Sequence, residues 1–267
     1  MRLRIIRTLL AVCFLLSACQ GMASKQSDNP RSVTVFAAAS LTEAFTEIGQ
    51  EFEAGHPSVK VAFNFAGSQQ LAQQLAQGAQ ADVFASANQA QMDATVSAGR
   101  VAAGGVQIFA HNRLVVIYPK DDPAKLTRLQ DLTRPGLKIV LAAKEVPVGS
   151  YALQFLQKAS QSLDFGSDFE IKVLSNVVSY EENVRVVYSK VALGEADAGI
   201  VYTSDIPKND SQVGSLEIPD ELNVVATYPI APLEDSPKPD LAASFVEFVL
   251  SPTGQGILAG YGFLPAQ

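Results

Sequence analysis

Residues 33–45 read VTVFAAASLTEAF. Val33, Val35 and Phe36 have the β-branched and aromatic character of a buried strand. Three alanines follow, then Ser40, and from there Leu41, Ala44 and Phe45 fall at the spacing of one helix face. The segment is therefore a strand that turns straight into a helix, the opening half of a βαβ unit. Two roles fit Ser40. As the first residue of S-x-x-E it can cap the helix, with Glu43 reaching back to the cap's N–H. Alternatively, a run of small residues brings backbone N–H groups up to an anion at a helix N-terminus. On this segment alone the cap is the simpler reading.

The same alternation continues along the chain. Further strands are expected at 59–66 (VKVAFNFA), 81–87 (ADVFASA), 113–119 (RLVVIYP), 137–143 (LKIVLAA), 169–177 (FEIKVLSNV), 198–202 (AGIVY) and 223–231 (NVVATYPIA). Helical patterns such as QQLAQQLAQ, YALQFLQKAS and EENVRVVYSKVALG lie between them. Strands apolar on both faces, alternating with amphipathic helices, predict an α/β protein with largely parallel sheets. Residues 113–119 and 224–232 are both extended and apolar, and both carry Tyr-Pro near the end. They suit either two strands crossing between two lobes or two core strands of one sheet.

The N-terminus has its own logic. MRLRIIRTLLAVCFLLSACQ has a basic start, a short apolar run and then Leu16-Ser17-Ala18-Cys19, the pattern of a secretory signal and too short for a membrane span. Its end resembles a lipobox, which implies cleavage after residue 18 and lipidation of Cys19. Residues 19–30 then form a polar tether. Cys13 would leave with the signal, so no internal disulfide or thiolate metal site is expected. Over 267 residues the chain is 48% hydrophobic and 18% charged, with a net charge of −7. Losing Arg2, Arg4 and Arg7 with the signal makes the balance more negative still. That balance makes the chain a poor candidate for binding nucleic acid or an anionic membrane through a basic face, and no nucleic-acid partner is expected.

Strand, small residues, hydroxyl, helix: the order of 33–45 recurs at Ser68 in FNFAGSQQL and at 147–150 (PVGS), with a further helix start at EENVR. In open α/β sheets, ligands bind outside the carboxyl ends of the strands. One such junction is a cap; several converging on one cleft make a cage of N–H and O–H donors. Catalysis has little to work with, since only His56 and His111 supply imidazole and neither a G-x-S-x-G elbow nor an H-E-x-x-H helix occurs.

Taken together, FAAASL (36–41), FAGSQQLAQQL (65–75), ADVFASAN (81–88), VPVGSYA (146–152), ENVRVV (182–187), GEADAGIVYTSD (194–205) and SPTGQGILAGYGF (251–263) resemble the substrate-binding proteins of bacterial ABC importers for molybdate. The resemblance implies a two-lobed periplasmic-binding-protein fold, each lobe a mainly parallel sheet flanked by helices, joined by two crossing strands. Residues 31–112 with 228–267 would form one lobe and 113–227 the other. It further implies an anion held by the hydroxyls of Ser40, Ser68 and Tyr202 and by the backbone N–H groups of Val148 and Val184. Also implied are a monomer lipid-anchored at the cell envelope, delivery to an ABC permease, no cofactor, and no enzymatic activity. Molybdate is a tetrahedral dianion that only accepts hydrogen bonds, so the site needs donors and no carboxylate. Some similar proteins place a carboxylate ligand just before the proline of VPVG; Val146 stands there, which implies hydrogen bonds alone, with Glu181 and Glu182 read as a solvated first helical turn. Tungstate fits the same donors. So does sulfate, the alternative ligand; a secreted hydrolase is the remaining alternative.

Overall fold

The computed structural model describes residues 31–266; the expected signal, Cys19 and the tether lie outside them. Strand β1 (Arg31–Ala38) runs into a single 3-10 turn, Ala39–Leu41, and then into α1 (Thr42–Gly55). Next come β2 (Val59–Ala66), α2 (Ser68–Ala76), β3 (Val83–Ala85), α3 (Gln89–Ser97) and β4 (Gln107–Asn112). A second group follows: β5 (Leu114–Pro119), β6 (Ile139–Ala142), α4 (Pro147–Gln161), α5 (Phe169–Ser175), β7 (Val177–Glu181), α6 (Val184–Ala192), β8 (Ala198–Tyr202) and β9 (Val213–Glu217). The chain closes with β10 (Ala226–Pro232), α7 (Pro239–Leu250), α8 (Pro252–Gly260) and β11 (Leu264–Pro265).

These strands make two sheets, ordered β11-β4-β10-β3-β1-β2 and β7-β6-β8-β5-β9. Both are mixed. The parallel centre expected from the apolar strands is present in β1–β3 and in β7–β6–β8. The strands on either side of the passages between sheets pair antiparallel, β5 with β8 and β9, and β10 with β3 and β4. Each Tyr-Pro strand is embedded in one sheet. The chain passes to the second sheet at Arg113, between β4 and β5, and returns through residues 218–225. In β10 the register against β4 shifts between Tyr228 and Pro229. Proline has no N–H for the ladder, so a bulge is where it is tolerated.

One expected strand is a helix. FEIKVLS forms α5 because Phe169 and Val173, four apart, are both fully buried while Ile171 is 72% exposed, which is a helical stripe and not a strand alternation. The strand begins only at Val177. Against the first sheet, α1 and α7 meet through Phe45, Phe52 and Phe245, with ring centroids 5.4–6.2 Å apart and edge-on, the favoured aromatic geometry. This packing holds the β1–α1 junction in place.

Candidate functional site

The cap reading of Ser40 fails. Helix α1 starts at Thr42 with Leu41 in the cap position and no side-chain cap bond. Ser40 lies one turn earlier, 5% exposed, with its Oγ 2.9 Å from the hydroxyl of Tyr228. Glu43 does not reach back either; it pairs with Arg185 on α6. The alanines let the turn sit flush against neighbouring elements, which leaves the serine hydroxyl at the bottom of a small pocket.

That pocket brings together all five residues expected from the sequence: Ser40, Ser68, Val148, Val184 and Tyr202 line it. Ser68 opens α2 and is 1% exposed; its Oγ accepts the Ala87 N–H at 3.0 Å. With the oxygen engaged as acceptor, the hydroxyl proton remains to be donated. Gly67 precedes it, and a Cβ there would lie 2.6 Å from the Glu182 carbonyl oxygen, so only glycine allows α2 to approach the start of α6 this closely.

Two helix N-termini complete the ring. Pro147 opens α4, and no side chain caps it. Val148 is therefore a first-turn residue whose N–H has no intrahelical acceptor. A Cβ on Gly149 would collide with the Ala143 carbonyl oxygen, which is why this helix can start so close to the end of β6. At α6, Asn183 is the cap, but its Oδ1 accepts from Val186 N–H at 3.1 Å. The N–H of Val184 has no acceptor among the described residues. Helix starts carry positive potential, so both amides favour an anion.

Tyr202, at the end of β8, is 1% exposed and its hydroxyl finds no partner among the described residues. Buried polar groups are hydrogen-bonded in the great majority of cases, so a phenol without a partner at a pocket wall is available to donate to a ligand. Burial pushes this phenol, like that of Tyr228, well above the ordinary value, so both remain protonated. Among the described residues no ionised side chain lines the pocket. Val146, at the position where some similar proteins carry a carboxylate, is 3% exposed and apolar.

Two acids differ from expectation. Glu181 is not in a helical turn: it ends β7, buried, held by Lys190 Nζ at 2.6 Å and Ser179 Oγ at 2.5 Å. Glu182 is exposed and precedes the Asn183 cap; its carbonyl and carboxylate accept from Gln69 and Gln70 at 2.8 and 3.0 Å. His56 ends α1, bonded to the Phe52 carbonyl, and His111 lies beside Thr227; neither lines the pocket. Sequence reasoning missed Asn112 altogether. It took Tyr228 only as half of a Tyr-Pro pair.

A family model described as bacterial extracellular solute-binding protein matches residues 33–264. The chain belongs to that family. It is a family of solute-binding proteins. Among curated relatives, the molybdate-binding protein ModA of Mycobacterium tuberculosis is 44% identical over 233 residues, covering 87% of this chain and 84% of its own. A putative ABC transporter substrate-binding lipoprotein of Bacillus subtilis, YvgL, is 29% identical over 97% of this chain and 96% of its own. Among solved structures, the sulfate-binding protein SubI of M. tuberculosis superposes with a TM-score of 0.79 over 89% of this chain and 88% of its own, at 18% identity. The two mixed sheets flanked by helices are thus the periplasmic-binding-protein fold, and that fold by itself does not choose an anion.

Proposed function

We propose that this protein captures molybdate, and tungstate equally, outside the bacterial membrane and hands it to an ABC permease. The observation that carries the reading is a pocket of hydroxyl and N–H donors at which, among the described residues, no ionised side chain forms a wall and the buried Tyr202 hydroxyl has no partner. A fully deprotonated tetrahedral dianion supplies only acceptors, and each charged hydrogen bond is worth roughly 1.5–3 kcal/mol. The 44% identical relative named for molybdate supports this anion over the sulfate of the structural neighbour. The metal is held through its oxygens by Ser40, Ser68, Val148, Val184 and Tyr202, with no protein oxygen bonded to it.

Residues 31–112 with 228–267 form one lobe in this reading, and 113–227 the other. Ser40 and Ser68 then face Val148, Val184 and Tyr202 across a cleft that closes on the ligand. Glu43–Arg185 and Gln69/Gln70–Glu182 join the same two halves and would latch the closed form. The protein acts as a monomer tethered by lipidated Cys19; the lipoprotein name of the B. subtilis relative supports the anchor. Calorimetric titration with molybdate, tungstate, sulfate and phosphate tests the proposal. Similar tight binding of the first two and much weaker binding of sulfate is expected. Sulfate binding as tightly as molybdate would overturn the assignment, and six-coordinate metal by X-ray absorption would overturn the donor set.

A further inference from the structure

The two passages between the sheets are fastened side by side at both ends. Toward the first sheet the fastening is the backbone ladder of β4 and β10, whose last pair is Asn112 with Ala226. Toward the second sheet the ladder of β5 and β9 ends at Val115 with Glu217, which by itself would leave 218–225 as a free connection. Asn223 closes most of that gap. It is 6% exposed, and its side-chain amide pairs with the backbone of Leu114 in both directions. Oδ1 accepts from Leu114 N–H at 3.0 Å, and Nδ2 donates to the Leu114 carbonyl at 2.9 Å. A primary amide offers the donor and acceptor of a peptide group, so this side chain stands where the next residue of a partner strand would. Nδ2 also reaches the Ile218 carbonyl at 3.3 Å, and Lys158 of α4 donates to the Asn223 carbonyl at 2.9 Å. What remains between the two fastenings is Arg113 in one passage and Val224 with Val225 in the other. Arg113 is itself divided: its N–H donates to Asn112 Oδ1 in β4, and its carbonyl accepts from Thr203 N–H just past β8.

We propose that Asn223 is a positioning residue for anion capture: by stapling the returning passage to Leu114, it confines the motion between the lobes to Arg113 and Val224–Val225. The inference rests on the two-lobed reading above, and none of these residues lines the anion pocket. Hinges are a few connecting residues that absorb the whole change in backbone angles. One this short permits rotation with little twist or slide. The hydroxyls of Ser40 and Ser68 therefore return to the N–H groups of Val148 and Val184 in a single register. A short hinge also leaves the open form fewer conformations to give up when a ligand closes it. The entropic cost of bringing ends together grows with flexible length as (3/2)RT ln n. Releasing 218–225 in place of 224–225 raises n from two to eight, which weakens Kd by a factor of about eight. That figure is an upper one, because the Lys158 bond to the Asn223 carbonyl stays.

The test pairs calorimetry with nitroxide distances between Gln50→Cys on α1 and Gln157→Cys on α4, two exposed positions in opposite lobes. Both are measured in the wild type, Asn223→Ala, Val225→Gly and Asn176→Ala. Asn176 is the control. It is 7% exposed, and its amide donates to the carbonyls of Leu132 and Arg134, so its loss removes comparable bonds in the same half of the chain without touching either passage. Asn223→Ala should broaden the ligand-free distance distribution and weaken molybdate and tungstate binding by about three- to eightfold, with their ratio unchanged. Val225 is exposed, and Val225→Gly should broaden the distribution in the same way while removing no hydrogen-bonding group. Asn176→Ala should lower stability but leave distances and affinities at wild-type values. A ligand-free distribution as narrow as that of the wild type in Asn223→Ala, or in Val225→Gly should the first variant not fold, overturns the proposal. Equal broadening in Asn176→Ala overturns it too. A wild type that binds neither molybdate nor tungstate refutes the pocket reading instead, and the ligand-free distances still decide the staple.

Discussion

Replacing Tyr202 by phenylalanine should weaken the ligand complex and leave the free protein almost as stable as the wild type. The residue is 1% exposed in the described structure. Phenylalanine keeps the ring and its edge-on contact with Tyr228, 5.8 Å between centroids, so little packing is lost. In the open form water satisfies the wild-type hydroxyl, so deleting it costs the free protein little. In the complex the same deletion removes a donor to a charged oxygen, worth roughly 1.5–3 kcal/mol, or about 10- to 150-fold in Kd. Ligand stabilises the native state by RT ln(1 + [L]/Kd), so at saturating molybdate the variant's ligand-induced gain shrinks by about 1.5–3 kcal/mol. Calorimetry and urea melts with and without molybdate measure both quantities. A variant that keeps wild-type affinity would refute the assignment of Tyr202 as a donor to the ligand.

Three further outcomes are expected. Ser68→Ala should weaken molybdate binding by roughly 1.5–3 kcal/mol and also lower free stability by about 1–3 kcal/mol, because the Ala87 N–H loses its acceptor; calorimetry and urea melts separate the two losses. Burial pushes the Asp205 carboxyl up to about 7 from the ordinary 3.8, so the native state holds a proton across that interval which the unfolded chain has released. Stability from this group is present below about 4, falls as pH rises and is lost above 7. The full cost is about 4 kcal/mol, and Asp205→Asn should out-stabilise the wild type at pH 8 while the gap narrows or reverses by pH 5. Cys19→Ala should release the protein from the membrane fraction, and mass spectrometry of the wild-type N-terminus should find an acylated residue 19.

Much of this site was legible in the primary structure because its parts are local. A strand followed by small residues, a hydroxyl and a helix start encodes its own turn, and β1–Ser40, Gly67–Ser68 and Pro147–Val148 sit at such junctions, while Asn183–Val184 is a helix start of the ordinary capped kind. The strand AGIVY, apolar throughout, placed Tyr202 at a carboxyl end in the same way. What the local pattern did not carry was the partner of each group. Ser40 and Glu43 satisfy S-x-x-E, yet the serine turns to Tyr228, 188 residues away, and the glutamate to Arg185, 142 away. Tertiary contacts outbid a cap worth about 1 kcal/mol. Glu181 reads as solvated beside Glu182 until the packing of α6 on β7 brings Lys190 against it. FEIKVLS has strand-like composition, and only its neighbours decided that Phe169 and Val173 would be buried on one face while Ile171 stayed in water. The chain's own residues thus determined which donors exist and at which junctions. Bringing them to one pocket, and setting Ser40 against Tyr228 and Tyr228 against Asn112, required contacts between residues far apart in sequence, which no local periodicity encodes.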